Sequence, residues 1–351
     1  MTVLAALVGV ACAAPVAPAP ASAPAAAAAP PAASQTAPAS PPATASAPGP
    51  SAPPASLQAV KMGVPAKSLN YLPVYVGVAQ DIFAEEGLDV EVTVMPAEVS
   101  IAGLVSGSLD YSGASTAAIR ANMAGAGVRS LAFMSIQPTF YIMSRPELRS
   151  LADLRGKIVA TTSLGSSTTE VARTAVSRAG LDPNNDIQIL ATGNTANAYT
   201  TLLSGQADAA VLSVPYNVQA ERDGYYPLLY AGDVTSSPES GLAASVEKLR
   251  REPDQVRRML RGILKGLRYV RERKPETTAL IVREFEVAPD LADGAYETML
   301  RSYSRDGLIP NSTLEETMAT HAAQTGLAQP PAVEDVTDYG PLREAQRELG
   351  L

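Results

Sequence analysis

The sequence predicts an α/β fold of two similar lobes, each a mostly parallel sheet flanked by helices. One observation is a phrase that occurs twice, at 104–116 and 202–214, in which a helix ends at Ser-Gly and an Asp follows three residues after the Gly. Another is an alternation of strand and helix patterns, which is typical of parallel sheets. The two copies lie about one hundred residues apart, a common domain size. We therefore expect them to face each other across a cleft.

Length and composition exclude several classes of protein. The chain has 351 residues, a net charge of -8 and one Cys. A single Cys excludes an intrachain disulfide, so the fold depends on its core. The acidic balance argues against binding of nucleic acid. No apolar run approaches the roughly 18–20 residues that a membrane-spanning helix needs.

The N-terminal segment predicts export. Residues 3–11 form an apolar run of the length found in signal peptides, and Cys12 follows Gly9-Val10-Ala11. This resembles the bacterial lipobox, so residues 1–12 are predicted to be a signal peptide with lipidation at Cys12. Gly9 stands where the lipobox usually has Leu, and the alternative is an incidental Cys in an Ala-rich leader. Residues 13–56, rich in Ala, Pro and Ser, predict a disordered linker.

The first lobe opens with a strand at 59–64. A helix is predicted at 74–82, and Gly87 then ends the helical region before a strand at 90–94. A helix at 100–106 leads into the first copy of the phrase. This order predicts a mostly parallel sheet, in which ligands lie outside the carboxyl ends of the strands.

The second lobe follows a crossing segment at 139–144, where we place the first hinge crossing. Its predicted elements alternate in the same way and are a strand at 158–162, a helix at 169–179, a strand at 187–190 and a helix at 196–204. After Asp233 the chain is expected to return. The predicted division is therefore 57–140 with 234–351 in lobe 1, and 141–233 in lobe 2.

The C-terminal third is predicted to be helical. An apolar stripe at helical spacing runs from Val256 to Val270. The opposite face is basic, with Arg257, Arg258, Arg261, Lys265 and Arg268. This face predicts a solvated surface rather than a nucleic-acid or lipid patch, and we expect nearby acidic residues to balance it, namely Glu272, Glu276, Glu284 and Glu286.

Three stretches, at 72–90, 151–160 and 252–276, resemble a known family in the right order. They are similar to the NMT1/THI5-like and SsuA/TauA-like periplasmic substrate-binding proteins of ABC importers, over about residues 59–310. The resemblance implies the type II periplasmic-binding-protein fold, in which two α/β lobes joined by a hinge close on a small ligand. It also implies an ABC permease and an ATPase as partners, and a monomer in solution.

Residues for catalysis are few. The single His is His321, far in sequence from the candidate loops, and the single Cys lies in the leader. Nucleophilic triads and most zinc sites are therefore excluded. Fungal enzymes related to the THI5 branch use a His and a Cys-rich iron motif, and this chain has neither. We expect no enzyme activity, no cofactor and no metal.

Residues for binding are plentiful in the loops that end strands and begin helices. Helix N-termini bind anionic groups, and Ser, Thr or Asn there also serve as N-caps, so both roles stay open. Tyr216 is either a ligand contact or a core residue. Asp110 and Asp208 are interpreted as structural. The predicted ligand contacts are Asn70, Tyr71, Ser112, Ser115, Thr116, Gln137, Ser166, Ser167, Thr168, Asn194, Tyr216 and Asn217.

These features together predict a membrane-anchored, extracytoplasmic lipoprotein that binds a small organic molecule and delivers it to an ABC importer. The resemblance implies a sulfonate, a carboxylate, or a pyrimidine- or vitamin-like ligand. One alternative is a pyrimidine-precursor synthase on the same fold. The other is a receptor domain that senses its ligand and signals to a membrane partner.

Overall fold

The computed structural model describes residues 56–164 and 166–351. Cys12 and all but the last residue of the predicted linker lie outside the described residues. Within the described ranges, no helix is both long and apolar enough to cross a membrane.

Strands and helices alternate from residue 58 to residue 245, and the described residues after that form helices and loops. The strands are β1 (Gln58–Val64), β2 (Leu88–Val94), β3 (Tyr111–Ser112), β4 (Val128–Ser135), β5 (Tyr141–Ser144), β6 (Lys157–Thr161), β7 (Ile187–Ala191), β8 (Ala209–Leu212), β9 (Tyr226–Tyr230) and β10 (Ser240–Ser245). The helices are α1 (Leu72–Ala79), α2 (Ile82–Glu85), α3 (Ala97–Ser106), α4 (Ser115–Met123), α5 (Ser167–Arg178), α6 (Thr195–Leu203), α7 (Tyr216–Arg222), α8 (Val246–Arg251), α9 (Pro253–Glu272), α10 (Lys274–Phe285), α11 (Ala292–Ser302), α12 (Asn311–Thr325), α13 (Val333–Val336) and α14 (Gly340–Glu348).

The strands form two five-stranded sheets of matching topology. Sheet A has the order β2-β1-β3-β10-β4 and sheet B the order β7-β6-β8-β5-β9. In each sheet the fourth strand, β10 in sheet A and β5 in sheet B, is antiparallel to both neighbours. Sheet B is formed by the consecutive strands β5 to β9, and β10 joins sheet A only after them. The chain therefore passes between the sheets twice, at 136–140 and at 231–239.

The repeated phrase makes the same contacts in both halves. Gly107 and Gly205 end helices α3 and α6 with φ values of 76° and 75°, a conformation that favours glycine. Asp110 Oδ2 accepts the Lys61 N–H at 2.8 Å, and the Asp110 N–H donates back to the Lys61 carbonyl at 3.0 Å.

The second copy repeats this exchange. Asp208 Oδ2 accepts the Ile158 N–H at 2.9 Å, and the Asp208 N–H donates to the Ile158 carbonyl at 2.9 Å. The structural role predicted for the two aspartates is confirmed. They hold the start of the following strand against the neighbouring strand, β1 or β6.

The predicted helix at 74–82 is wrong in its bounds. Helix α1 begins at Leu72, because Pro73 has a φ suited to the first turn, and it ends at Ala79. Asp81 then takes a left-handed φ of 54°, which separates α1 from α2.

The basic face of α9 is balanced by acidic residues other than those predicted. Arg261 and Lys265 contact the buried Glu86 at 2.6 and 2.7 Å, and Arg257 lies 3.5 Å from Glu344 of α14. The sequence could not indicate these partners, because α2 and α14 reach α9 only through tertiary packing. The face is thus largely paired rather than simply solvated.

Candidate functional site

The carboxyl ends of parallel strands locate the site. In sheet A, β1 and β3 end at the edge where β10 begins. In sheet B, β8 ends where β5 begins, since Leu212 pairs with Tyr141. The two passages between the sheets, at 136–140 and 231–239, connect these two edges. The loops that follow the parallel strands of the two sheets therefore lie close to each other.

A cavity of about 310 Å³, the first cleft cavity, lies between loops of both sheets. The loop after β1 contributes residues 67–70, and the loop after β8 contributes Ser213, Val214 and Pro215. Thr139 and Phe140 of the first passage complete the polar and aromatic walls. Apolar side chains close the remaining side, namely Phe285, Val287 and Met299. The cavity thus combines an apolar wall with a few hydroxyl and amide groups, as small-molecule sites do.

A second cleft cavity, of about 350 Å³, lies between α4 and α5. Thr116 and Arg120 line it from α4, and Ser167, Glu170 and Arg178 from α5. Helix α12 adds Glu316 and His321. This cavity is more polar and carries charges of both signs.

Glu239 lines both cavities. It directly precedes β10 and accepts a hydrogen bond from the Ser237 hydroxyl. Burial raises the pKa of the Glu239 carboxyl above its ordinary value, and the bond from Ser237 offsets this only in part. Burial, with Glu239 adding to it, also raises the pKa of Tyr71. Glu239 is therefore a partly buried acidic group shared by the two cavities.

Three of the predicted contact residues line these cavities. Asn70 lies on the first cleft cavity, and Thr116 and Ser167 lie on the second. The Thr116 hydroxyl donates to the Pro238 carbonyl at 2.9 Å, which ties α4 to the return passage.

Four predicted contacts are buried inside their own half of the molecule. Tyr71 donates to the Gly113 carbonyl at 3.3 Å, and Ser112 Oγ lies 2.7 Å from Ser100 Oγ. Thr168 Oγ1 accepts the Thr162 N–H at 3.0 Å. The Ser115 hydroxyl is buried and has no hydrogen-bond partner among the described residues. These side chains support the loops of the cleft and line neither cavity.

The other predicted contacts also lie outside the two cavities. Ser166 and Asn194 cap α5 and α6 by accepting the N–H groups of Thr169 and Asn197. Gln137 is half-buried.

The two predicted contact residues at the start of α7 also lie outside both cleft cavities. Tyr216 packs against the Tyr199 ring, with centroids 5.8 Å apart. Asn217 is buried and lines a separate cavity between α7 and α11.

Sequence reasoning missed Glu239 and the cleft position of His321. Glu239 lies in a Ser- and Pro-rich stretch that predicts only a loop. Its place at the edge of sheet A follows from the antiparallel insertion of β10, which strand patterns alone do not indicate. His321 reaches the second cleft cavity because α12 packs beside α4.

Contacts between the halves also occur beside the cleft. Arg301 of α11 donates to the Tyr141 hydroxyl at 3.1 Å and pairs with Asp233 at 2.9 Å. Its guanidinium lies 4.0 Å from the centre of the Tyr230 ring. Val218 of α7 packs against the core of the other half. These contacts join α11 to sheet B.

The described residues contain no group of three or more His, Cys, Asp or Glu side chains arranged to hold a metal ion. The site offers hydrogen-bonding groups, charged side chains of both signs and apolar surface. These groups are suited to binding a small molecule.

Comparison with known proteins agrees with this architecture. A family model described as NMT1/THI5 like matches residues 68–277. YtlA of Bacillus subtilis (strain 168), named as a binding protein, is 24% identical over 261 residues, which cover 71% of this chain and 78% of YtlA.

Solved structures show the same fold. The periplasmic aliphatic sulphonate binding protein SsuA from Escherichia coli superposes with a TM-score of 0.67 at 17% identity, covering 82% of this chain and 100% of SsuA. The periplasmic nitrate-binding protein NrtA from Synechocystis PCC 6803 superposes with a TM-score of 0.61 at 16% identity, covering 84% and 89% of the two chains. The predicted two-lobed fold is confirmed.

Proposed function

The chain belongs to the NMT1/THI5-like family, and from that premise we propose that it is an extracytoplasmic solute-binding protein. It captures a small organic ligand between two lobes and delivers it to the permease and ATPase of an ABC importer. The observation that carries this proposal is the first cleft cavity, whose walls come from loops of both sheets. A ligand there contacts both halves at once, so it favours the closed arrangement.

The moving units in this proposal are lobe 1, residues 57–140 with 234–351, and lobe 2, residues 141–233. The two passages between the sheets act as the hinge. Because only short segments connect the lobes, a rotation about them opens the cleft without disturbing either sheet. Asn70, Thr139 and Ser213 are the polar groups best placed to contact the ligand.

We further propose that the protein acts outside the cytoplasm as a monomer, held to a membrane by a lipid on Cys12. Support comes from the apolar run at 3–11 and from the Ala/Pro-rich stretch that follows it. The wild-type chain should partition into the detergent phase of a Triton X-114 extract, and Cys12→Ala should move to the aqueous phase. Aqueous partitioning of both would refute the anchor but not ligand binding.

The proposed function is tested by a thermal-shift screen of the full chain with isothermal titration calorimetry of every hit. The library should contain sulfonates, carboxylates, amines, pyrimidines and vitamins. A binding protein gains about 2.7 kcal/mol when the ligand reaches one hundred times its Kd. For a chain of this size we expect a rise of several degrees in Tm.

The variant that tests the location is Ser213→Phe, which places a ring in the first cleft cavity. Its matched control is Ser177→Phe on the exposed face of α5. Loss of ligand binding in Ser213→Phe, with binding retained in Ser177→Phe, supports the first cleft cavity as the binding site. Chromatography of the recovered ligand decides between binding and catalysis, since turnover would show an enzyme and refute the proposal.

A further inference from the structure

Glu239 places a carboxyl group on the wall of both cleft cavities, and it forms no ion pair with a described Lys or Arg side chain. The carboxyl lines both cleft cavities, and its described side-chain partner is the Ser237 hydroxyl. None of the ion pairs formed within residues 56–164 and 166–351 includes Glu239. The buried Glu86, by contrast, pairs with both Arg261 and Lys265.

The basic residues that line the two cavities, Lys67, Arg120, Arg178 and His321, make no hydrogen bond or ion pair with Glu239. Lys67, on the first cleft cavity, pairs with Glu284 at 3.5 Å. Arg178, on the second, donates to the Val234 carbonyl, and the Arg120 side chain is exposed. The pKa of Glu239 is raised by burial, and no neighbouring cation lowers it. Burial alone favours the neutral carboxyl, whereas a positive group of a ligand bound beside Glu239 would favour its ionised form and pair with it.

We propose that the ligand of this cleft is a small organic cation whose ammonium or amidinium group binds the Glu239 carboxylate. This inference rests on the proposed solute-binding function and names the ligand class for it. The charge is opposite to that of the sulphonate and nitrate ligands named for SsuA and NrtA. The fold is shared with those proteins, but the charge at the centre of the cleft selects the ligand.

The walls of the first cleft cavity suit the rest of such a ligand. Phe140 and Phe285 supply aromatic surface, and Val287 and Met299 supply aliphatic surface. Aromatic rings attract cations, and the apolar wall accepts a short hydrocarbon body. The volume of about 310 Å³ is at the lower end of ordinary ligand sites, which limits the ligand to a compact molecule.

An anionic ligand would meet an unfavourable environment at the same place. A carboxylate or sulfonate beside ionised Glu239 brings two like charges together in a partly desolvated cleft, where such a pair is costly. The anion would bind only with uptake of a proton by Glu239. Amines and anions of equal size should therefore differ strongly in affinity.

The experiment uses probes that share one body and differ in charge. Hexylamine and phenethylamine are compared with hexanoate, hexanesulfonate, hexanol and phenylacetate, by thermal shift and calorimetry on the full chain at pH 7.5. The test variant is Glu239→Gln, which keeps the shape and the hydrogen bond from Ser237. Glu91→Gln is the control, because Glu91 is exposed on β2 and makes the same change of charge far from the cleft.

We expect the amines to bind and the matched anions to bind at least about tenfold more weakly. Glu239→Gln should weaken amine binding by a similar factor, and Glu91→Gln should leave it unchanged. The charge preference of the wild-type chain is itself a readout, so the inference stays testable if Glu239→Gln folds poorly.

The other outcomes separate the two proposals. Binding by anions or neutral probes alone, or amine binding that survives Glu239→Gln, overturns the cation inference and leaves solute binding intact. No stabilisation by these probes or by any compound of the solute screen refutes the solute-binding function, and the cation inference with it.

Discussion

Replacing Asp110 with Ala should destabilise the protein more than the equivalent change at Asp208. Asp110 accepts the Lys61 N–H at 2.8 Å and also pairs with Lys248 Nζ at 2.6 Å. The Lys248 side chain is only 8% exposed, so removal of Asp110 leaves a buried ammonium with one partner fewer.

The magnitude follows from these contacts. A hydrogen bond to a charged group contributes about 1.5–3 kcal/mol. Asp110→Ala removes two such hydrogen bonds, one from the Lys61 N–H and one from Lys248. Because Lys248 keeps its ion pair with Glu252 at 2.8 Å, we expect the free energy of unfolding to fall by about 3 kcal/mol. Asp208 pairs with Arg145 at 3.2 Å, and the Arg145 side chain is 33% exposed. Water replaces part of that contact, so Asp208→Ala should cost about 2 kcal/mol.

Equilibrium urea unfolding followed by circular dichroism measures both values. Asp89→Ala is the control, because Asp89 is exposed on β2 and a surface substitution of this kind changes stability by about 0.5 kcal/mol or less. A loss below about 1 kcal/mol for Asp110→Ala, or a larger loss for Asp208→Ala, would refute the reasoning.

Three further predictions concern single contacts. Gly113→Ala should lower the Tm, because a Cβ there lies 2.6 Å from the Tyr71 ring and overpacking costs about 1–3 kcal/mol; an unchanged Tm would show that the loop yields freely. For Glu86, burial acts to raise the pKa, but hydrogen bonds from Arg261 and a neighbouring lysine bring it below its ordinary value of 4.5. The stability that Glu86 contributes is therefore present above that pH and is lost as the pH falls through the lower folded value, so the Tm advantage of wild type over Glu86→Gln should shrink between about pH 5 and pH 3 in calorimetric scans. Arg301→Lys should lower the Tm by a few degrees, because an ammonium does not replace a planar guanidinium stacked on a ring, and equal Tm values would contradict that role.

Local patterns were sufficient for most of the scaffold. Helix ends at Gly107 and Gly205 followed from glycine after an apolar periodic run, and the structure has both. The alternation of strands and helices gave two sheets of parallel strands, because a strand followed by a crossover helix returns in the same direction. The antiparallel direction of β5 and β10 was not predicted. The direction of a strand depends on the edge of the sheet at which the chain enters, which a local pattern does not indicate.

The candidate site was less accessible to the same reasoning. Loops rich in Ser, Thr and Asn were correctly placed at the ends of strands. Within them, however, capping and ligand contact use the same residue types, so the sequence could not separate Ser166, a cap, from Ser167 on the cavity. Which side chains line the cleft depends on how each helix packs in the tertiary structure.

The sequence by itself determined two α/β halves, the repeated phrase that starts a strand in each, and the family resemblance. These are encoded locally, in glycine positions and in the period of apolar residues. Only the tertiary structure decided what the halves enclose. Glu239 and His321 lie far apart in sequence from the loops they join, and they reach the cleft because β10 inserts into sheet A and α12 packs beside α4. The placement of Glu239 on both cavities is thus a property of long-range packing, which no local pattern specifies.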